Sequence, residues 1–413
     1  MSRVVSESLI KSQEHDRNYA KALDDVDPLR VFRDRFVIDD ELVYLDGNSL
    51  GRLPRATVER LRRVVAEQWG RRLIRAWDEG WLELPIEVGD RLGTAALGAA
   101  PGQTIVGDST TVCFYKLASA ALDLRPGRNQ IVTDYDNFPT DRYVLEGLAR
   151  DRGLELVFLR GDPSYGPMPG DVLNLVGGQT ALVTFSHVSY RSAHIADMAQ
   201  ISEIAHGAGA LTLWDLSHSA GSVPVQLDAD GADLAVGCTY KYLNAGPGAP
   251  AFMYARADLQ AQLRQPIWGW LGRRNPFEME HGYDPAPGVT ALLSGTPPVL
   301  ALSAVDEGVG LVEEAGIERI RAKGVALTEF AIGLADARLA EGGVSVASPR
   351  DPAHRGAHVA LVHPAAKRLC AALIKRGVIP DFRRPDVIRF GLSPLTTRFT
   401  DVWDGVETLR TLL

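Results

Sequence analysis

Lysine is scarce in this chain. Only seven of its 44 basic residues are lysine, so nearly all the positive charge is arginine. Cysteine is scarcer still: Cys113, Cys238 and Cys370 form no CxxC pair and no metal-like cluster. That excludes a disulfide framework and leaves a reducing, cytoplasmic compartment as the expectation. A membrane span is also missing. A long uncharged run, GVTALLSGTPPVLALSAV (288–305), carries two prolines, two glycines and several hydroxyls, a poor composition for crossing a bilayer. The leading residues are too polar for a secretory signal. Net charge is -8, with a sequence pI near 5.7, so a nucleic-acid surface is not expected either.

What remains is the balance of a soluble globular protein. The 413 residues are 46% hydrophobic and 23% charged, enough for two or three domains or one large enzyme fold. From about residue 104 short apolar runs alternate with helical stretches. NQIVTD (129–134), LELVFLR (154–160), TALVTFSHV (180–188), LTLWDLSH (211–218) and ADLAVGC (232–238) read as strands. Helical patterns follow from Pro139 to about Asp151 and over 197–210. Strands alternating with helices predict βαβ units and a largely parallel sheet, with ligands at the strand C-termini. After Pro298 one long apolar-periodic segment runs from Val299 towards Ala340, broken by Gly308, Gly310 and Gly316. A smaller α+β portion follows it. The expected division is an N-terminal segment (1–55) packing on both domains, a large α/β domain (56–300) and a small C-terminal α+β domain (301–413).

Three pieces of the α/β region carry chemistry. Asp215 ends an apolar strand, where an isolated carboxylate would suffer desolvation and needs a cationic or proton-donating partner. Lys241 lies just beyond another buried strand, a setting that suits a lysine to carbonyl chemistry. Gly107-Asp108-Ser109-Thr110-Thr111 is a hydroxyl-rich turn before a helical stretch, whose N–H groups and dipole suit a phosphate. Each has a plainer reading: a strand-end Asp can cap a helix, a lone Lys can snorkel to the surface, and a Ser/Thr turn can be only an N-cap. Together, in one domain, they are the parts of a pyridoxal-phosphate site. The acid keeps the pyridine nitrogen protonated, the lysine binds the aldehyde, and the turn anchors the phosphate.

The chain resembles the kynureninase family over nearly its whole length. The motifs that carry the resemblance are Tyr44-Leu45-Asp46-Gly47-Asn48-Ser49-Leu50-Gly51, Asn137-Phe138-Pro139-Thr140-Asp141, Asp215-Leu216-Ser217-His218-Ser219-Ala220-Gly221 and Gly237-Cys238-Thr239-Tyr240-Lys241-Tyr242-Leu243-Asn244. Gly269-Trp270-Leu271-Gly272, Ser294-Gly295-Thr296-Pro297-Pro298 and Arg389-Phe390-Gly391 complete the series. Any one is weak; the ordered set is specific. The resemblance implies fold type I: a large domain with a mainly parallel, seven-stranded-type sheet flanked by helices, plus the small domain. It implies pyridoxal 5'-phosphate as cofactor, and cleavage of the Cβ–Cγ bond of a kynurenine to L-alanine and an anthranilate, in tryptophan catabolism or NAD biosynthesis.

Roles follow residue by residue from the same resemblance. Lys241 would hold the cofactor and move the α-proton, Asp215 would pair with the pyridine nitrogen, and Phe138 would stack on the ring. Thr110 and Thr111 would meet the phosphate, while Asp141, His218 and Tyr240 are further cofactor contacts, with Tyr240 the proton donor. Trp270 and Thr296 match phosphate contacts supplied by a neighbouring subunit, which implies a homodimer. Arg389 matches the arginine that grips the substrate carboxylate, with Asn48 and Ser49 also at the substrate. Phe138 and Trp270 are equally readable as core aromatics, and His218 as a structural histidine. Buried Arg389 requires an anion. His354 and His358 flank Arg355-Gly356, with no helix to align them, and no metal is expected.

Four positions depart from the pattern: Arg273, Thr396, Cys113 and His194. Arg273 and Thr396 leave the aryl substituent open. The rival readings are a cysteine desulfurase, a transaminase of the same superfamily, and a non-catalytic paralogue that only binds pyridoxal phosphate. Cys370 sits in an apolar helical pattern, unlike a mobile nucleophile; both Lys241 and Arg389 are retained, unlike a dead paralogue.

Overall fold

A computed structural model describes residues 16–162 and 164–413. A short strand, β1 (Val43–Tyr44), precedes the central sheet, which is built from β2 (Thr104–Val106), β3 (Gln130–Asp134), β4 (Glu155–Leu159), β5 (Thr180–Ser186), β6 (Leu211–Asp215), β7 (Leu234–Gly237) and β8 (Phe252–Ala255). Its order is β2-β8-β7-β6-β5-β3-β4. Five neighbouring strands run parallel, and β8 is antiparallel to both β2 and β7. Successive residues go to opposite faces, and both faces are apolar. Leu211 and Leu213 join one core with Val236, while Trp214 joins the other with Val183 and Phe185. Burial on both faces is why these strands read as continuous hydrophobic runs.

Helices cover the two faces. The first two that matter for the site are α1 (Thr110–Asp123) and α2 (Pro139–Arg152). The expected helix before β6 is α3 (Met198–Gly207), capped by Asp197, whose carboxylate accepts from the Gln200 N–H. The long segment after Pro298 forms two helices, α4 (Val299–Ala315) and α5 (Ile317–Arg338), and breaks only at Gly316, whose φ is 79°. Gly308 and Gly310 stay inside α4. Gly308 is there for contact, since a Cβ at that position would collide with the Leu243 carbonyl oxygen, two residues beyond Lys241.

The small sheet contains β9 (Ser345–Val346), β10 (His358–Val362), β12 (Asp381–Arg383) and β13 (Val387–Gly391), in the antiparallel order β12-β13-β10-β9. Strand β11 (Val378–Ile379) pairs in parallel with β1. Helices α6 (Ala366–Lys375) and α7 (Phe399–Arg410) close a third core around Leu361, Leu369, Ile388 and Phe390. The segment after β1 reaches both sheets: Gly47 N–H donates to the Gly391 carbonyl and Gly51 N–H to that of Tyr240.

Candidate active site

Asp215 is the last residue of β6, and Lys241 follows the end of the adjacent strand β7. Parallel pairing of β6 and β7 puts both at the same C-terminal edge of the sheet. Asp215 is buried and accepts a 2.7 Å hydrogen bond from the Ser217 N–H. Its carboxylate meets that of Asp141, from the first turn of α2. Burial first, and the facing Asp215 charge second, push the Asp141 carboxyl well above its usual range. Asp141 therefore keeps a proton, and its Oδ2 has no other partner among the described residues.

The Lys241 ammonium lies 3.3 Å from His218 Nδ1 and 5.7 Å from the centre of the Phe138 ring. Burial, then the Lys241 charge, hold His218 far below the normal histidine range, so its imidazole is neutral. Phe138 opens α2 and stands edge-on to Tyr190, with ring centres 5.5 Å apart. Tyr240 is half-buried. Burial, then the neighbouring Cys238 thiol and Asp215, raise its phenol above the usual range, so it stays protonated and able to donate.

The phosphate turn is a built feature. Asp108 adopts a left-handed φ of 54°, Ser109 caps α1, and Thr110 and Thr111 form its first turn, where N–H groups lack intrahelical acceptors. Fully buried Lys116, one turn further into α1, donates 2.5 Å to Asp108 Oδ2 and 2.9 Å to the Leu292 carbonyl. This brace was not read from the sequence, because its partners lie eight and 176 residues away. Cys113 sits beneath the same turn, its thiol 2.9 Å from the Gly107 carbonyl.

Arg389 projects from β13 and is fully buried. Its Nη1 donates to the Tyr190 carbonyl and its Nη2 to Asp381, with Ser49 Oγ 3.3 Å away; Nε has no partner among the described residues. Asn48 is fully buried with neither amide atom satisfied. His358, at the start of β10, is also fully buried with both ring nitrogens unpartnered, 5.8 Å from the His218 ring. It belongs to this wall, although its sequence context offered only a metal-like spacing to His354. His354 turns instead to His194, with which it stacks at 6.2 Å.

Trp270 and Thr296 stand apart from this cluster. Trp270 packs edge-on against Trp77 at 6.2 Å. Exposed Thr296 lines a cavity of about 440 Å³ with Trp69, Trp77 and Trp81, and another of about 290 Å³ with Gly107, Asp108 and Ser109. Arg273 is held by the Gly282 and Arg274 carbonyls and by Glu280. Thr396 gives its carbonyl to Arg33 at the N-terminal segment.

The arrangement suits an aromatic, phosphorylated aldehyde: a lysine for the aldehyde, a protonated-carboxyl pair for a ring nitrogen, an aromatic face and a helix N-terminus for the phosphate. The fold is shared with a cysteine desulfurase from Thermococcus onnurineus NA1, at a TM-score of 0.80 and 18% identity over 92% of this chain and 97% of that one. It is shared too with a C-DES variant described as carrying glycine covalently linked to its PLP cofactor, at a TM-score of 0.81 and 16% identity over 92% and 98%. This is the architecture of the fold-type I, pyridoxal-phosphate-dependent enzymes.

Residues 320–409 match the family model described as the kynureninase C-terminal domain. Proteins named kynureninase from Burkholderia pseudomallei (strain K96243) and Pseudomonas fluorescens are each 42% identical, over 96% of this chain and 95% of theirs. The chain belongs to the kynureninase family.

Proposed function

We propose that the chain is a pyridoxal-phosphate-dependent hydrolase that cleaves L-kynurenine, or a ring-substituted kynurenine, to L-alanine and the corresponding anthranilate. The observation that carries this reading is that Lys241 and Arg389 act together on His218, and Asp215 and Lys241 on Asp141, in a chain 42% identical to kynureninases along almost all its length. When bound, pyridoxal phosphate supplies an electron sink for the carbanions formed at the substrate's α- and β-carbons.

The residues do the rest. Lys241 would hold the aldehyde and would move the proton at the substrate α-carbon. Asp215, backed by protonated Asp141, keeps the ring nitrogen cationic. Phe138 and neutral His218 confine the ring, and the Thr110–Thr111 turn, braced through Lys116, receives the phosphate. Arg389, with Asn48 and Ser49 beside it, orients the substrate carboxylate. Tyr240 holds the proton exchanged at the γ-carbonyl as water adds and the Cβ–Cγ bond breaks. A desulfurase needs an exposed thiolate, and all three cysteines are buried here.

A second copy completes the site in this reading, its Trp270 and Thr296 reaching the phosphate. Support comes from Trp69, Ile74, Trp268, Phe277 and Met279, large apolar side chains that stand exposed and that a second copy would cover. Three unpaired cysteines agree with a cytoplasmic setting, and among the described residues no helix is long and apolar enough to cross a membrane.

The test is an absorbance spectrum of the purified protein before and after L-kynurenine and 3-hydroxykynurenine, with alanine release followed in parallel. A visible cofactor band and alanine from one substrate support the reading and choose the ring. A band with no alanine from either substrate overturns the reaction; no band even with added pyridoxal phosphate overturns the cofactor site.

A further inference from the structure

Three buried polar groups on one face of the small sheet lack partners. In the antiparallel pair β10–β13, His358 stands opposite Gly391 and Ala360 opposite Arg389. Directly opposed residues share a face, and so do residues two apart along a strand, so His358 and Arg389 project to the same side as diagonal neighbours. A Cβ on Gly391 would point to that side too, and would collide with Asn48 Oδ1, which places the Asn48 amide there as well. The unsatisfied atoms are both nitrogens of His358, both amide atoms of Asn48 and Nε of Arg389. All three side chains are fully buried. Native interiors rarely leave such groups orphaned, so three together mark a place where a ligand supplies the missing partners.

The occupied atoms say which ligand. Arg389 has already given Nη1 to the Tyr190 carbonyl and both N–H groups of Nη2 to Asp381 and Ser49 Oγ, so neither edge of the fork is free for a two-pronged grip. Only Nε–H remains. A buried carboxylate has two oxygens, each needing a donor, and a second donor must come from beside the arginine. We propose that His358 is that donor: its ring N–H takes one oxygen of the substrate α-carboxylate while Arg389 Nε–H takes the other, with the Asn48 amide closing the cradle. This rests on the reading that the substrate is an amino acid whose carboxylate lies at Arg389.

The electrostatics agree. Burial, then the Arg389 charge, hold His358 far below its usual range, and Lys241 and Arg383 act the same way. The Arg191 backbone alone favours the cation, without a hydrogen bond of normal geometry. A neutral imidazole brings a donor to the arginine without a second positive charge. The site then selects free α-carboxylates and rejects amides, which carry no charge for Arg389 and one poorer acceptor.

The cofactor-loaded protein, titrated by absorbance with L-alanine and with L-alaninamide, reads this directly. His358→Leu should weaken L-alanine by roughly 10- to 100-fold, the worth of a hydrogen bond to a charged group, and L-alaninamide by less than about threefold. His358→Gln, which keeps an N–H, should recover most of the loss, and with kynurenine the larger part of the defect should lie in KM. Equal weakening of both ligands, or no weakening of either, overturns the proposal. If the leucine variant does not retain cofactor, His358→Phe is read the same way. Wild-type protein that discriminates alanine from alaninamide through His358 but does not hydrolyse kynurenine would keep the cradle and refute the reaction.

Discussion

Burial gives Asp46 a proton that water would take from it. Desolvation first, and the nearby Asp381 charge among the other causes, lift its carboxyl to about 6. The folded protein thus binds this proton more tightly than the unfolded chain does. Stability from this group is complete below the ordinary carboxylate range and is lost as pH rises through about 6. Asp46→Asn should therefore raise stability at pH 8 by about 2 kcal/mol and leave it nearly unchanged at pH 4, as denaturant melts at the two pH values would show. A gain of equal size at both would mean the charge is not the cause. Tyr240 is a second case, a phenol kept protonated by burial. Tyr240→Phe should slow turnover roughly 100-fold, the scale of one positioned proton donor, while the cofactor band stays. Unchanged turnover would remove Tyr240 from the proton-transfer role.

At the scale of elements, the turn before α1 depends on a lysine inside that helix. Without Lys116 the Asp108 carboxylate would face the phosphate subsite uncompensated. Lys116→Met should weaken pyridoxal-phosphate affinity by roughly 10- to 100-fold, measured by equilibrium dialysis; an unchanged affinity would make the brace purely structural. That brace also shows where sequence reading stops. Strands β5 to β7 were legible because both faces are buried, and β3 and the half-exposed edge strand β4 because they are still apolar runs; the expected ends erred by only a few residues, the run 211–218 stopping as a strand at Asp215, where the chain turns over the site. Strands β2 and β8, three and four residues long, left no pattern to read. Gly308 and Gly310 looked like helix breaks, yet close packing on the lysine loop is what at least Gly308 serves. Asp215 and Lys241 stood out as ionisable groups after apolar strands. His358 did not, since its meaning lies in its pairing opposite Gly391.

Across the whole molecule, the exposed apolar side chains Trp69, Ile74 and Trp268 bear on assembly. Ile74, 75% exposed, is the most open of these side chains. Ile74→Asp should yield a monomer in light scattering and a protein that loses pyridoxal phosphate on dialysis, if a second copy covers this face and supplies Trp270 and Thr296. A dimer that keeps its cofactor would refute that role for the face. The N-terminal segment has a different reach. Residues 43–51 pair with Val378 and Ile379, bridge to Gly391 and hold the carbonyl of Tyr240. A chain emerging from the ribosome makes this segment long before the strands that receive it. The lysine loop, the arginine strand and the segment that ties them can thus meet only after Gly391 has been made. Capture of the cofactor at a finished site then waits on the small sheet, and a polypeptide stalled before residue 378 would lack the strands that this segment ties to the lysine loop.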